Sequence, residues 1–517
     1  MKSTNALIFG VLMLLLPAAS AEGLLKPTCI NTFTSDYATP MWVGDVNNDG
    51  VQDVVVGTRV NGIVSSYKYK GYDCNNDWGA VQSGGWTFTT DSGSDVLSIW
   101  VGDLKNDGKK NVVINGIEPI LNKNARPVKK FVTAITQRGT EDWNIKELCG
   151  VSYTVYAADL DKTGVKNVIF GTKSSKVCVI KDDPITRSPL LWSYQTARPV
   201  WAVKADDVDG DGNVEVIALD RQSYASTVYC ISSTGTLKWK YDVEGGVQIS
   251  STADRILQVA DIDGDGKKEV LVGTYAHGVD VIDSAGSLKW NYKTQSSSTD
   301  LVSVILPYDI NGDGKLEILV GAKPFLYAID SSGSLKWKTP AETMIYGIAV
   351  GNIYGDSDNE IVTSSTRYVD VYSNTGSKID RWAYQLEIQG KDVKFSEKDV
   401  NGLSVGIADL DGDGANEVVA AFGWQEDRDI VTSYYGDLRV FEVKKDFSPP
   451  ETGGMTATTL SSGGTGIAPQ GGEGEEGFEP PSTTLPSKGG SKIPCVPALP
   501  AVIALAITLL AGIPLAR

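Results

Sequence analysis

Short apolar runs alternate with polar loops along most of this sequence. "EVLVGT" at 269–274 and "EILVGA" at 317–322 hold β-branched and aliphatic residues bounded by acidic and small residues. Runs of this length and composition are typical of β-strands rather than of amphipathic helices. The pattern therefore predicts a chain of short strands between about residues 28 and 445.

One acidic phrase recurs before these strands. "ADIDGDGKKEVLVGT" begins at Ala260, and related phrases begin at Gly44, Gly102, Ala158, Asp206, Tyr308, Gly351 and Ala408. A repeat at a period of tens of residues indicates a propeller or a solenoid.

A series of tryptophans lies between the acidic phrases, and three of them end the phrases "GTLKW" or "GSLKW". The series is Trp86, Trp143, Trp192, Trp239, Trp290, Trp337 and Trp382. Each repeat then reads as four short strands in roughly 40–50 residues, which is the pattern of a propeller blade. We expect the tryptophans to pack between blades rather than to contact a ligand.

The last repeat lacks a fourth strand, because eight acidic phrases are accompanied by seven tryptophans. The stretch at 27–33 precedes the first repeat and has no partner there. A ring without an open edge results if this N-terminal strand completes the last blade. The predicted fold is an all-β propeller of eight four-stranded blades, with seven blades as the alternative.

The acidic phrase has the donor spacing of a calcium loop. Counted from Asp261, carboxylates stand at positions 1, 3 and 5, glycine at position 6 and Glu269 at position 9. Oxygen donors at this spacing suit Ca²⁺. An EF-hand needs its glutamate at position 12, where this loop has Val272. The alternative is a hairpin turn with solvated acids and no metal.

The repeats resemble the FG-GAP/VCBS repeats of integrin-alpha-type propellers, and the "GSLKW" phrases are similar to the blade-ending strands of PQQ-enzyme-like propellers. The former carry calcium loops of the form D-x-D-x-D-G-x-x-D/E between the first two strands of a blade. The resemblance implies the fold but no particular activity. It implies about five Ca²⁺ sites with the ligands Asp45, Asn47, Asp49, Asp53, Asp207, Asp209, Asp211, Glu215, Asp261, Asp263, Asp265, Glu269, Asp309, Asn311, Asp313, Glu317, Asp409, Asp411, Asp413 and Glu417.

Three loops depart from the pattern. Because fewer anionic ligands weaken Ca²⁺ binding, we expect them to keep the turn and to bind metal weakly or not at all. The departures are Lys105 in the loop at Asp103, Thr163 and Asn167 in the loop at Asp159, and Tyr354 in the loop at Asn352.

The charge of the chain agrees with metal loops and argues against nucleic acid. The formal net charge is −17, and five Ca²⁺ ions would cancel about ten of those charges. The sequence has no basic run or patch of the kind that binds nucleic acid.

Both ends of the chain indicate export. Residues 1–21 have the pattern of a signal peptide cleaved after Ala21, and residues 493–516 form an uncharged apolar stretch long enough to span a bilayer. Residues 447–492 are rich in Pro, Gly, Ser and Thr and predict a stalk, which leaves 22–446 for the propeller. We expect a cell-surface or envelope protein with the propeller outside, its C-terminal segment serving as a single transmembrane helix or a processed anchor.

The cysteines leave their pairing open. Cys495 lies in the apolar C-terminal segment, and five others remain, so at least one thiol is expected to be free or intermolecular. Cys29 and Cys74 become neighbours if the N-terminal strand closes the ring, which allows a disulfide. Cys178 and Cys230 occupy equivalent strands of successive blades, so they are either buried as free thiols or paired in a disulfide.

Catalytic motifs are absent from the sequence, which has a single histidine, His277. We therefore favour a binding module that acts in adhesion or ligand binding on an extracellular protein or glycan. A calcium-dependent polysaccharide lyase or hydrolase on the same fold is the alternative, and an envelope spacer is a third option. Ligand contacts are expected on the face opposite the calcium loops. The candidates there are Arg126, Arg221, Tyr224, Tyr275, His277, Arg367 and Trp424.

Overall fold

The computed structural model describes the greater part of the predicted propeller. The described residues are 25–34, 38–58, 63–68, 85–90, 95–117, 130–146, 148–181, 189–222, 225–247, 255–275, 278–294, 301–384, 386–388, 391–393, 400–428 and 431–443. The signal peptide, stalk and anchor predicted at the two ends lie outside them. Within these ranges, no helix has the length and apolarity needed to cross a bilayer.

The strands assemble into four-stranded antiparallel sheets, which are the blades of a propeller. Strands are counted within a blade from the central channel outwards. Blades one to four are β2–β5 (Ala38–Gly44, Asp53–Thr58, Ile63–Lys68, Trp86–Thr89), β6–β9 (Asp95–Gly102, Asn111–Ile117, Lys130–Thr136, Glu141–Lys146), β10–β13 (Ser152–Ala158, Asn167–Thr172, Lys176–Ile180, Leu190–Gln195) and β14–β17 (Val200–Asp206, Glu215–Gln222, Ala225–Ile231, Leu237–Val243).

The second half of the ring has the same organisation, with one addition. A small hairpin, β30–β31 (Leu386–Ile388, Lys391–Val393), lies in the connection to the last blade. Blades five to seven are β18–β21 (Leu257–Ala260, Glu269–Thr274, Gly278–Ile282, Leu288–Tyr292), β22–β25 (Val302–Tyr308, Glu317–Ala322, Phe325–Ile329, Leu335–Pro340) and β26–β29 (Ile345–Gly351, Glu360–Ser365, Tyr368–Tyr372, Lys378–Ala383).

The eighth blade joins the two ends of the propeller. It consists of β32 (Val400–Ala408), β33 (Glu417–Arg428), β34 (Val431–Val443) and, outermost, β1 (Leu25–Thr34). β1 runs antiparallel to β34, with Leu25 opposite Val443. The first strands of successive blades contact one another, and β32 contacts β2, which closes the ring. The prediction of eight blades closed by the N-terminal strand is confirmed, and the alternative of seven is wrong.

The second strands are buried along their length, and most of their residues after the first are apolar, because each blade is covered on both faces by its neighbours. All six residues of β3, β11, β19 and β23 are buried. A continuous apolar run is what a strand buried on both faces requires. The core therefore lies between blades, as a series of apolar clusters that each span neighbouring sheets.

Four of the recurrent tryptophans contact the following blade, in agreement with the predicted packing between blades. Four indole Nε1–H groups donate to a backbone carbonyl in the turn between the third and fourth strands of the following blade. The pairs are Trp192–Ser233 (2.8 Å), Trp239–Ser284 (2.9 Å), Trp290–Ser331 (3.0 Å) and Trp337–Asn374 (3.0 Å). Each indole therefore contributes buried apolar area and a hydrogen bond at once.

The structure contains a disulfide that the sequence did not predict. Cys149, in the connection between blades two and three, forms a disulfide with Cys178 of β12. Cys230 is buried and free, in agreement with the expected free thiol. Burial raises the pKa of Cys230 to about 12, so its thiol is protonated at neutral pH. Cys74 and the side chain of Cys29 lie outside the described residues.

Replacing Gly286 with alanine should destabilise the propeller through the tryptophan contact. Gly286 has φ +88°, and a Cβ there would lie 2.6 Å from the ring of Trp239. Gly355→Ala is a matched control, because Gly355 has φ +76° with open space around its Cβ position. We expect about 1–2 kcal/mol of backbone strain in both variants. Gly286→Ala should lose a further 1–3 kcal/mol or so, measured by urea unfolding. Equal losses in the two variants would contradict this account.

Candidate metal centre

Eight loops, each joining the first strand of a blade to the second, share one design. Position 2 is apolar and buried in every loop, and position 9 is a buried acid or amide that begins the second strand. In seven loops the backbone N–H of position 2 donates to the position-9 side chain at 2.8–3.2 Å. The pairs are Val46–Asp53, Leu160–Asn167, Val208–Glu215, Ile262–Glu269, Ile310–Glu317, Ile353–Glu360 and Leu410–Glu417.

The first acid of the loop closes the turn. In seven loops its carboxylate accepts the N–H of the glycine at position 6, at 2.8–2.9 Å. That glycine has φ between +79° and +89°, a region that favours glycine. The loop at Asn352 has Ser357 at position 6, and there Asn352 accepts the N–H of Gly355 instead. Hydrogen bonds within the protein thus account for the shape of the loop.

Acidic oxygens converge in three of the loops. Within each triad, one ligand atom per residue lies within 4.8 Å of the others. The triads are Asp207, Asp209 and Glu215 in blade four; Asp261, Asp263 and Asp265 in blade five; and Asp409, Asp411 and Glu417 in blade eight. The Oδ1 atoms of Asp209 and Asp263 are buried without a hydrogen-bond partner. Hard oxygen donors with free lone pairs fit a divalent cation, so these triads are suited to hold a metal ion.

The two other predicted sites have the turn but form no such triad of acids among the described residues. In blade six the Asn311 amide donates to Glu317 at 3.0 Å. In blade one Asp45 and Asn47 both accept the backbone N–H of Asp49, at 3.1 and 3.0 Å.

Lysines from the fourth strand neutralise three loops of their own blades. Lys238 Nζ lies 2.5 Å from Asp209 Oδ2 and 3.0 Å from Glu215 Oε1. Burial lowers the pKa of Lys238, but the hydrogen bonds to Asp209 and Glu215 outweigh burial and raise its pKa above the usual value. The other contacts are Lys289 with Asp263 (2.6 Å) and Glu269 (2.8 Å), and Lys336 with Glu317 (2.7 Å).

Blade two has the same ion pair with its charges exchanged. Lys105, at position 3 of the loop, lies 2.6 Å from Asp142 of the fourth strand. Asp142 precedes Trp143 just as Lys238 precedes Trp239. The sequence predicted that this loop would bind metal weakly or not at all, and the structure places the Lys105 ammonium against the Asp142 carboxylate.

Two position-9 glutamates, Glu360 and Glu417, are buried without an ion pair to lysine or arginine among the described residues. Burial raises the pKa of Glu360 to about 7, and the acids Asp356 and Asp358 add to the shift. Burial likewise raises the pKa of Glu417 to about 7, with the other acids of its loop adding to it. Ionisation of Glu360 or Glu417 therefore costs free energy that no ion pair among the described residues offsets.

The predicted ligand residues that are described lie at the opposite end of the blades, where the second strand turns into the third. Arg221 is the penultimate residue of β15, Tyr275 follows β19, Arg367 lies between β27 and β28, and Trp424 is in β33 opposite Tyr435. They belong to four different blades. Arg126, Tyr224, His277 and the side chain of Trp424 lie outside the described residues.

Two features at this end were missed by the sequence analysis. Trp201 stacks on Tyr153 with ring centroids 4.2 Å apart, and the Arg221 guanidinium lies 5.8 Å from the Trp201 ring. Arg255, before blade five, reaches the first strands of blades seven and eight, where it donates to Tyr346 O and to Ser404 Oγ. Such contacts between distant repeats leave no local signal in a sequence.

Comparison with known proteins supports the repeat and the fold. Residues 207–272 and 261–320 match the family model "FG-GAP-like repeat", so the chain carries FG-GAP-like repeats. A comparison with curated proteins finds no match.

Solved structures with similar folds have low sequence identity to this chain. Saccharomyces cerevisiae Sqt1 is 12% identical, with a TM-score of 0.52 over 81% of this chain and 99% of that one. Sqt1 from Chaetomium thermophilum is 13% identical, with a TM-score of 0.50 over 81% and 100%. The V. cholerae biofilm matrix protein Bap1 is 13% identical, with a TM-score of 0.46 over 84% and 91%. At these identities the similarity concerns the fold alone.

Glu360 should make the propeller less stable as the pH rises. Its pKa of about 7 in the folded protein lies above the ordinary glutamate value of 4.5, so folding favours the protonated acid. The stability present below pH 4.5 is lost progressively as the pH approaches and passes 7. We therefore compare the free energies of unfolding of Glu360→Gln and the wild type, measured with urea in EDTA. As the pH is raised from 4.5 to 8, the difference in favour of Glu360→Gln should grow by about 1–3 kcal/mol. Glu317→Gln, which breaks the ion pair with Lys336, should show no such gain. A pH-independent difference for Glu360→Gln would contradict the assignment.

Proposed function

We propose that this protein is an exported calcium-binding propeller that acts as an adhesion or ligand-binding ectodomain at the cell surface. The convergent acidic triads at one end of the blades carry the proposal. The FG-GAP-like repeats at 207–320, which include two of the triads, support it. Bound Ca²⁺ would supply six to eight bonds to oxygen that cross-link the loop.

The role of the metal in this proposal is structural. Asp409, Asp411 and Glu417 hold negative charge at the junction of two strands, and Glu417 is 4% exposed. A cation there compensates charge that only the folded state brings together. Metal binding therefore adds to the stability of the fold.

The opposite end supports ligand binding. Arg221 Nε is buried without a hydrogen-bond partner, and burial lowers the pKa of Arg221. Its guanidinium lies beside the stacked rings of Trp201 and Tyr153. Aromatic rings bind sugar rings through their apolar faces, and a guanidinium binds carboxylates through two parallel hydrogen bonds. Of the two ligand classes considered, protein and glycan, this combination favours a glycan that bears carboxylates.

Chelation should destabilise the protein if calcium is bound. We expect a lower thermal midpoint in EGTA than in millimolar Ca²⁺, and calorimetric titration should detect bound ions. A site at 100-fold excess of ion over its Kd contributes about 2.7 kcal/mol. Mg²⁺ at the same concentration is the control, because it dehydrates reluctantly and suits such cages less well. Absence of both bound ions and a thermal shift would sink the calcium proposal and leave the loops as hairpin turns.

Arg221 should be needed for retention on an acidic glycan. We expect the wild type to bind immobilised polygalacturonate but not neutral dextran. Arg221→Gln should weaken retention about tenfold or more, because it removes a charge-assisted hydrogen bond. Arg138→Gln is the control, because Arg138 is exposed in the turn between β8 and β9 at the other end of the blade. Equal retention of both variants would contradict the proposed surface. Release of unsaturated oligosaccharides would favour the lyase alternative.

A further inference from the structure

The fourth strand of most blades begins with a β-bulge. The fourth strand contains one extra residue opposite the end of the third strand. In blades two to six this residue directly precedes the recurrent tryptophan. The inserted residues are Asp142, Leu191, Lys238, Lys289, Lys336, Ile379 and, in blade eight, Thr28. In blade one the corresponding position, next to Trp86, is Gly85.

The bulge directs its residue at the acidic loop of the same blade, which a regular strand position would not do. Lys238 reaches both Asp209 and Glu215, at 2.5 and 3.0 Å. Lys289 makes both equivalent contacts in blade five, and Lys336 contacts the position-9 residue Glu317 in blade six. The three ammonium groups thus lie against the buried position-9 carboxylates.

Blade two shows that this contact is specific. There the inserted residue is Asp142, and the loop residue at position 3 is Lys105, so that both charges are exchanged and the ion pair persists at 2.6 Å. In blade three the inserted residue is the uncharged Leu191, and position 9 is the neutral Asn167. In blades two, four, five and six the inserted residue therefore carries a charge opposite to that of the loop residue it contacts. Blades seven and eight instead have the uncharged inserted residues Ile379 and Thr28 in blades whose position 9 is a glutamate.

We propose that the bulge residue decides which loops take a metal ion. Lys238, Lys289 and Lys336 are tethered cations that occupy the place of Ca²⁺ in blades four, five and six. The loop of blade eight, where the inserted residue is the uncharged Thr28, is the loop that takes the ion. The inference rests on the calcium binding proposed above and assigns it to particular loops.

Competition for the same oxygens is the physical reason. An ammonium at 2.5 Å from Asp209 uses a ligand atom that a metal would need, and two cations at such a distance repel each other. In blade eight Asp409, Asp411 and Glu417 converge, and no lysine or arginine forms an ion pair with them among the described residues. The charge of that loop is left for a metal to compensate.

The ion then acts where the ring closes. Blade eight contains β1 from the beginning of the propeller and β34 from its end. An ion that fixes the turn between β32 and β33 stabilises the sheet to which β1 must add. Calcium would therefore control closure of the ring while blades four to six are stable without it.

Matched variants test the assignment in the whole protein. Thr28→Lys places a lysine at the bulge of blade eight, and Lys238→Met removes the lysine of blade four. Lys240→Met is the control, because Lys240 is exposed on the same strand as Lys238. Calorimetric titration with Ca²⁺ alone should give about one bound ion fewer per protein than the wild type for Thr28→Lys. It should give about one bound ion more for Lys238→Met. Lys240→Met should match the wild type.

A second measurement does not depend on counting ions. In EGTA, amide hydrogen exchange should accelerate in β1 and β32–β34 of the wild type before it does so in blades four to six. Unchanged ion counts in Thr28→Lys and Lys238→Met, with ions bound by all proteins, would overturn the inference and leave calcium binding intact. Uniform acceleration over all blades would also overturn it. No ion bound to any of the proteins would overturn the proposed calcium function as well.

Discussion

A buried polar side chain at the first residue of every second strand governs the chemistry of this propeller. In seven blades it accepts the N–H of a loop residue that is itself buried, and so completes the turn. Ionised, it needs a partner, because an uncompensated charge in a protein interior is costly. The blades meet this requirement differently: blade four provides Lys238 for Glu215, blade three replaces the acid by Asn167, and Glu360 in blade seven has a raised pKa.

Some of the repeated loops are also hydrogen-bonded to the loop of the preceding blade. The N–H of Lys268, in the loop of blade five, donates to the carbonyl of Val208 in blade four at 2.9 Å, and Leu316 of blade six donates to Ile262 of blade five at 3.2 Å. Together with the tryptophan hydrogen bonds at the rim, these bonds join blade four to blade five and blade five to blade six at two radii. Because a single blade cannot bury its own faces, stability depends on such contacts between neighbours.

Blade number and ring closure were predictable from the sequence because they depend on features that every repeat carries. The acidic phrase marks the first turn, the tryptophan marks the fourth strand, and the missing fourth strand of the last repeat identifies its N-terminal replacement. The contact between Lys238 and the acidic loop was not predictable. It depends on a β-bulge that shifts the register by one residue, and the presence of a bulge depends on how the strands pair. A visible signal was overlooked: the exchanged charges of Lys105 and Asp142. The Cys149–Cys178 disulfide and the contacts of Arg255 depend on three-dimensional proximity alone.

The pairing of Leu25 with Val443 has a mechanical consequence. The chain enters and leaves the propeller at adjacent positions, so tension between its two ends acts directly on the β1–β34 pair. Tension on Val443 alone is resisted by both neighbours of β34, because β33 and β1 flank it. Whether such a pull shears several hydrogen bonds together or opens them in succession depends on its direction relative to the strands. A ring that closes through its termini thus places its resistance to force in one blade.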